Sequence, residues 1–116
     1  MYTVAMIFRR KPGMSLEDFN AYYRDRHGPL MLEHISDRGL ISYEQFPADA
    51  GGAQGRYVTE GELEYDAISI YSFETEAQAE ECWALPEVME DSAKFIDFDT
   101  IISLPLTRRM VSSKTG

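Results

Sequence analysis

The first strand of the chain constrains the fold most, because it is apolar on both faces. Successive side chains of a strand point to opposite faces of its sheet. In the run from Tyr2 to Phe8, one face carries Tyr2, Val4, Met6 and Phe8, and the other carries Ala5 and Ile7. A strand with one face exposed to solvent alternates apolar and polar residues, so this pattern predicts a sheet that is covered on both faces.

A helix interrupted by a glycine and a proline is predicted after this strand. Ser15 has the position of its N-cap and Asp18 follows three residues later, an arrangement similar to a capping box. Gly28 is expected to end the helix in a left-handed conformation, and Pro29 then takes the first position of a second short helix. This second helix is expected to span residues 30–36.

The rest of the chain predicts three more strands and a helical region. The strands are expected at residues 40–46, 65–73 and 100–111, where Pro105 indicates an edge strand or a bulge. A helix is expected to contain residues 77–83, and Val88 to Ile96 predict a further helical turn or two. The glycine-rich stretch over 48–61 is predicted to be the longest loop and a mobile one.

The order β-α-β-β-α-β predicts a single α+β domain over residues 1–116 with a ferredoxin-like topology. Helices in this topology cover one face of the sheet, whereas the strands carry apolar groups on both. The uncovered face therefore needs a partner, and the simplest one is a second copy of the chain. The sequence thus predicts a homodimer in the form of a dimeric α+β barrel.

Charge and composition exclude several classes of function. The net charge of −9 disfavours a nucleic-acid partner, because phosphate binding needs clustered Lys and Arg. Cys82 is the single cysteine, so an internal disulfide and a multi-cysteine metal site are ruled out. No apolar run approaches the roughly 20 residues that span a bilayer, and Met1 leads directly into a strand without room for a signal peptide. A cytoplasmic protein without a membrane partner is expected.

His27 and His34 are candidate proton-transfer groups. Histidine has an ordinary pKa that allows it to give and accept protons near neutrality. His27 lies at the predicted junction of two helices, where its ring can reach a pocket or bond a free helix carbonyl. His34 follows seven residues later and faces the same way only if the helices are continuous. Two histidines at this spacing are a weak metal signal, and no metal is expected.

Asp66 is a further catalytic candidate, and it shares one face of the third strand with Ile68, Ile70 and Ser72. If this face lines a pocket, the carboxylate is partly desolvated and its pKa rises. Asp66 could then accept a proton or act as the partner of His27, with Ile68 and Ile70 as apolar substrate contacts. The alternative is a strand-end carboxylate in water.

Aromatic residues offer flat apolar area with polar tips, which suits an aromatic or polyketide-like ligand. These residues are Tyr22, Tyr23, Tyr43, Tyr71 and Trp83. The alternative is that they belong to the core. The sequence contains no nucleophile elbow, phosphate loop or dinucleotide fingerprint, so covalent catalysis and nucleotide chemistry are not expected.

Short motifs along nearly the whole chain follow the pattern of a known family. They are Lys11-Pro12-Gly13-Met14-Ser15 leading into Phe19 and Tyr23, His27-Gly28-Pro29-Leu30, Tyr65-Asp66-Ala67-Ile68, Phe73, and the stretch from Glu87 to Phe95. In these residues the chain resembles the EthD family of dimeric α+β barrel proteins. The segment from the first helix to His-Gly-Pro-Leu is the most specific part of the resemblance.

The resemblance implies a homodimer with a pocket between the sheet and the helices of each subunit. Similar members include proteins linked to ether degradation, fungal polyketide decarboxylases and dehydratases, and lactone isomerases, which tend to work without metal or organic cofactor. The resemblance assigns an acid–base role to His27 and an assisting role to Asp66. Family members often have an acid two strand-steps after this aspartate, whereas this chain has Ile70, which leaves fewer acid–base groups.

The leading hypothesis is a cofactor-free enzyme acting on a carbonyl-bearing aromatic or polyketide-like small molecule. The reaction would be dehydration, decarboxylation, cyclisation or isomerisation through an enol or enolate. His27 would be the acid–base group, and Tyr43 or Tyr71 would donate to the substrate oxygen. Two alternatives are a non-catalytic accessory protein that binds a hydrophobic metabolite for an oxidising partner, and a cofactor-independent monooxygenase.

Overall fold

Four antiparallel strands form a sheet in the order β2-β3-β1-β4 in the computed structural model, which describes residues 1–48 and 65–114. The strands are β1 Tyr2–Arg10, β2 Leu40–Pro47, β3 Ala67–Phe73 and β4 Ile96–Leu106. The helices are α1 Leu16–Tyr22, α2 Gly28–Ile35, α3 Glu76–Trp83 and α4 Pro86–Ser92. The predicted α+β class and ferredoxin-like topology are confirmed. Nearly all of the predicted loop over 48–61 lies outside the described residues.

The helices cover one face of the sheet and bury its aromatic residues there. Phe8 on β1 packs edge-on against Phe19 of α1, with ring centroids 6.1 Å apart. Tyr71 and Phe73 on β3 are also buried. Apolar contacts with the helices therefore stabilise this face of the sheet. Pro105 lies on the edge strand β4, as predicted.

The opposite face of the sheet, called here the open face, is also apolar. Cross-strand pairing places Ile7 opposite both Ile68 and Ile102, and Ala5 opposite Leu104, so these side chains share the face. Ile68, Ile102 and Leu104 are 37%, 41% and 47% exposed. No described element covers this face.

The predicted break between the first two helices is wrong. Gly28 has φ −55° and ψ −56°, which is right-handed, and the chain continues from α1 into α2 through a π-helical turn, Tyr23–His27. The N–H of Gly28 donates to the Tyr23 carbonyl, five residues back. A proline ring clashes with the carbonyl four residues before it in a regular α-helix. The wider turn relieves this clash at Pro29, so the helix need not end.

The predicted last strand is also displaced, because β4 begins at Ile96 and ends at Leu106. Helix α4 ends at Ser92, so Phe95 and Ile96 lie outside the helix, contrary to the prediction. Asp97 occurs early in β4 and pairs with Arg9 of β1. Aspartate is depleted in strands, which explains why the sequence pattern hides this part of β4.

The helix starts follow capping rules. Ser15 is the N-cap of α1 as predicted, and its hydroxyl accepts a hydrogen bond from the Asp18 backbone N–H at 3.0 Å. A complete capping box instead forms at α3, where Thr75 and Gln78 each bond the other's backbone N–H. Among the described residues, no helix is long and apolar enough to cross a membrane.

Candidate functional site

A cavity of about 190 Å³ lies between the sheet and the helices. The sheet contributes Phe8, Ser69 and Tyr71 to its wall, and the helical elements contribute His27, Met31 and Trp83. Most of the wall is apolar, so the few polar atoms on it have the strongest influence on how a ligand is oriented.

A buried histidine–aspartate pair is the main polar feature of the wall. His27 Nδ1 lies 2.7 Å from Asp91 Oδ2, and each residue is only 3% exposed. Because a carboxylate can only accept a hydrogen bond, Nδ1 carries the proton and donates it to Asp91. In the neutral ring Nε2 is then a proton acceptor. Among the described residues nothing hydrogen-bonds to Nε2, so this atom is available to a ligand in the cavity.

Burial sets the protonation state of this histidine. Desolvation lowers the pKa of His27 below its ordinary 6.5, and the hydrogen bond and charge of Asp91 oppose this effect without overcoming it. The ring is therefore neutral at pH 7. A neutral imidazole whose Nδ1–H is held by a carboxylate has the form of a general base, because the carboxylate stabilises the imidazolium that forms when Nε2 takes a proton.

Tyr22 completes the hydrogen bonding of Asp91 by donating its hydroxyl to Oδ1. Burial, followed by the hydrogen bond and the charge of Asp91, raises the pKa of Tyr22 to about 12, so the phenol keeps its proton. Asp91 thus accepts from both Tyr22 and His27. Both carboxylate oxygens are engaged, and this fixes the carboxylate behind the histidine ring.

The π-helical turn sets the direction of the His27 side chain, and the edge strand β2 supports that turn. The Tyr23 carbonyl accepts from Gly28 and also from Gln45 Nε2 of β2, at 2.8 Å. A carbonyl has two lone pairs, so it can take both hydrogen bonds. The His27 ring then packs against Phe95, with ring centroids 4.6 Å apart. These contacts determine the direction of the histidine ring.

A second polar contact lies on the sheet side of the cavity. The Tyr23 hydroxyl is 2.5 Å from Ser69 Oγ and 3.3 Å from the Ile68 carbonyl. Burial raises the pKa of Tyr23, so this hydroxyl is neutral. Ser69 is 1% exposed and belongs to the cavity wall. The cavity therefore has a hydroxyl on its sheet side in addition to the histidine on its helix side.

The structure brings several of the predicted site residues together. His27, Tyr71 and Trp83 line the cavity. Tyr22 lies behind the cavity wall and donates a hydrogen bond to Asp91. Tyr43 stacks on Tyr71 with ring centroids 4.5 Å apart. The aromatic residues thus serve partly as cavity wall and partly as the layer that supports it.

The other predicted site residues lie elsewhere, and the expected pairing of Asp66 with His27 is wrong. Asp66 accepts from the Arg10 backbone N–H at 2.7 Å and from Arg10 Nη1 at 2.8 Å, at the end of the sheet. The helices cover the face of β3 that carries Ser69 and Tyr71, so Ile68 and Ile70 belong to the open face.

His34 is not among the described residues that line the cavity. Its half-buried side chain lies on α2, and its backbone carbonyl accepts from Arg38 Nε at 3.1 Å. The helix is continuous through the π-helical turn, but the extra residue in that turn changes the direction in which later side chains point.

Sequence reasoning missed Asp91 and Ser69. A signal for Asp91 does exist, because it lies three residues after the buried Val88, on the same face of α4. A carboxylate at such a position must find a buried partner. Ser69 interrupts the apolar face of β3 in the same way, between Ala67 and Tyr71.

Solved structures with the same fold share little sequence with this chain. HapK from Hahella chejuensis is 8% identical with a TM-score of 0.65, covering 100% of this chain and 99% of that chain. An EthD family protein from Bacillus halodurans is 15% identical with a TM-score of 0.64, covering 94% and 100%. A dimeric protein with a ferredoxin-like fold from Bacteroides fragilis is 9% identical with a TM-score of 0.56, covering 90% and 93%. No curated protein sequence matches the chain.

The strand order and these structures define the chain as an α+β protein with a ferredoxin-like fold. The model of the EthD domain family matches residues 11–99. The chain belongs to the EthD family, and the resemblance based on its short motifs is confirmed.

Proposed function

We propose that the chain is a cofactor-free enzyme that transfers a proton at a carbon next to the carbonyl of an aromatic or polyketide-like molecule. The observation that carries this proposal is the 2.7 Å contact between His27 and Asp91 at the wall of an apolar cavity. Dehydration, cyclisation and isomerisation can pass through the enol or enolate that such a transfer produces, whereas decarboxylation forms the enolate by loss of CO2 and needs only the protonation of its carbon. EthD membership supports a small-molecule role in general.

The chemistry of this step follows from the tautomer of the histidine. Nε2 of His27 takes a proton from the carbon next to the carbonyl, the electron pair of that C–H bond forms a C=C bond, and the π pair of the C=O bond moves to the oxygen. Asp91 stabilises the resulting imidazolium through the hydrogen bond to Nδ1. The imidazolium then gives a proton to the carbon of the product, and in D2O it first exchanges its own proton for a deuteron of the solvent. The apolar wall strengthens these electrostatic interactions because it excludes water.

The generic test of this step is deuterium exchange at the methyl group of acetophenone in D2O, followed by proton NMR. We expect the protein to accelerate exchange over buffer, and the rate to fall on acidification as His27 is protonated. The pKa of His27 is lowered, so the midpoint of this fall should lie below pH 6.5. In Asp91→Asn the midpoint should move to lower pH, because the carboxylate raises this pKa.

Two results would contradict the proposal. Exchange no faster than in buffer, with acetophenone bound, would remove the catalytic claim and leave the accessory binding protein as the better hypothesis. A rate that rises on acidification would show that a protonated group, not a neutral base, starts the reaction. Oxygen uptake with a bound ligand would favour the oxygenase alternative.

We also infer that the protein is a homodimer that joins its open faces. Ile102 and Leu104 leave an apolar surface on β4, which continues across the sheet to Ile68. Exposed apolar patches of this kind mark interfaces. The fold is shared with a dimeric protein from Bacteroides fragilis. The sheet would then be covered on both sides, as its first strand requires.

Sedimentation equilibrium tests this inference. The chain has a mass of 13.2 kDa, and we expect a particle of twice that mass at micromolar concentration. Leu104→Lys should shift the equilibrium toward monomer, because it places a charge in the apolar interface. Lys94→Glu, a charge change at an exposed position outside the open face, is the control. A monomer at all concentrations in the unchanged protein would contradict the inference.

A further inference from the structure

We propose that Ser69 donates the hydrogen bond that holds the ligand's carbonyl oxygen, and that the cavity selects neutral carbonyl compounds with a single aromatic ring. The inference rests on the proposed function, because it places a carbonyl next to His27, and it names the class of ligand. It differs from the expectation that Tyr43 or Tyr71 binds this oxygen.

The protons of two hydroxyls determine the role of Ser69. The Tyr23 hydroxyl has one proton and two candidate acceptors, Ser69 Oγ at 2.5 Å and the Ile68 carbonyl at 3.3 Å. The longer distance is outside the usual range for O–H···O hydrogen bonds. A phenol is also a stronger donor than an aliphatic alcohol, so Tyr23 donates to Ser69. Burial raises the pKa of the nearby Tyr43 hydroxyl, and its contact with Ser69 is one of those that oppose this rise. The proton of Ser69 is then shared between the Tyr43 hydroxyl and an acceptor in the cavity, so a ligand carbonyl competes with Tyr43 for it.

Tyr43 is less suited to this role. Its hydroxyl accepts a hydrogen bond from Gln45 Nε2 at 2.9 Å. Its ring is stacked on Tyr71, and Tyr43 itself is not among the described residues that line the cavity. Tyr71 belongs to the wall, but its ring is held between Tyr43 and Trp83 as a flat apolar surface. Such a surface suits the ring of a ligand, while Ser69 suits its oxygen.

The charges around the cavity favour a neutral ligand. Asp91 is a buried carboxylate directly behind His27, and its charge disfavours an anion nearby. Among the described side chains that line the cavity there is no lysine or arginine, and His27 is neutral. A carboxylate moved from water to this wall would lose its hydration without gaining a cation.

The volume of the cavity limits the size of the ligand. An apolar protein cavity of about 150 Å³ holds benzene. The cavity of about 190 Å³ therefore fits one aromatic ring with a short substituent. Acetophenone has this size, and its carbonyl oxygen accepts but does not donate a hydrogen bond, so it probes for a donor on the wall.

The test is an NMR titration that follows the indole N–H signal of Trp83. Trp83 is the single tryptophan of the chain and lines the cavity, so its signal reports occupancy without any turnover. We expect acetophenone to bind about fivefold more tightly than ethylbenzene, which has nearly the same shape but no oxygen. Benzoate should bind at least about tenfold more weakly than acetophenone, and 2-acetylnaphthalene should also bind more weakly than acetophenone, because its second ring exceeds the cavity volume.

The variant Ser69→Ala should remove the preference for acetophenone and leave the affinity for ethylbenzene unchanged. The matched control is Ser72→Ala on the same strand. The Ser72 hydroxyl is 2.9 Å from Thr3 Oγ1, away from the cavity, so its removal should change neither affinity. Comparing two ligands in each variant separates the loss of a hydrogen bond from a general loosening of the fold.

The outcomes are distinct. Equal affinities for acetophenone and ethylbenzene in the unchanged protein would overturn the inference even if Ser69→Ala did not fold. A preference that disappears in Tyr71→Phe but persists in Ser69→Ala would assign the oxygen to Tyr71 and overturn it as well. Benzoate binding as tightly as acetophenone would overturn the neutral-ligand claim. The proposed function fails separately, since selective binding without deuterium exchange contradicts catalysis alone.

Discussion

Replacing His27 with glutamine is expected to slow deuterium exchange at acetophenone by at least about a hundredfold, the usual contribution of a positioned general base. Glutamine is similar in size and can still hydrogen-bond to Asp91, so the fold should persist. Its amide cannot accept a proton near neutral pH, so the transfer step has no base. The measurement is the exchange rate by NMR, with acetophenone binding confirmed through the Trp83 signal.

The matched control is His34→Gln. This residue is on α2 outside the described cavity wall, and its variant should exchange at the unchanged rate. A folded His27→Gln protein with full activity would show that another group moves the proton. A large loss in His34→Gln would instead show that His34 takes part in the reaction.

Replacing Phe95 with alanine is expected to lower the free energy of unfolding by about 3–5 kcal/mol, the usual range for removing a buried phenylalanine. Phe95 is fully buried, and its ring contacts Phe8, Phe19, Tyr23 and His27 at centroid distances of 6.1, 5.6, 5.8 and 4.6 Å. Its removal leaves a void among side chains from both the sheet and the helices. Urea unfolding at a fixed protein concentration measures the loss.

Phe98→Ala is the control, because this phenylalanine is three residues further along and 44% exposed. Its replacement should cost much less stability. Phe95→Leu keeps most of the volume and should be intermediate, which preserves the test if the alanine variant does not fold. Equal losses at Phe95 and Phe98 would mean that the aromatic cluster is not the part of the core that dominates stability.

The topology was predictable because it depends on patterns that repeat along the chain. Apolar residues on both faces of β1 and the stripe of Phe19 and Tyr23 indicate which surfaces must be buried, whatever their final contacts. The conformation of Gly28 was not predictable in this way. A glycine before a proline often ends a helix, whereas here the π-helical turn, whose Tyr23 carbonyl also accepts from Gln45, lets the helix continue.

The candidate site was half predictable for a related reason. His27 stands out by residue type and by its motif, whereas Asp91 is 64 residues away and meets it only through packing. The sequence offered Asp66 as a possible partner, because strand alternation alone does not say which face the helices cover. Once the helices are placed on the face of Ser69 and Tyr71, the carboxylate must come from a helix.

The π-helical turn over Tyr23–His27 has a consequence for the phase of the helix that follows. One extra residue in a turn rotates every later side chain by about 100° about the helix axis. Met31 reaches the cavity wall with this rotation included. A related chain shorter by one residue in the turn would present a neighbouring position of α2 to its ligand. Insertions and deletions here would therefore change ligand preference by changing which residue of α2 reaches the wall.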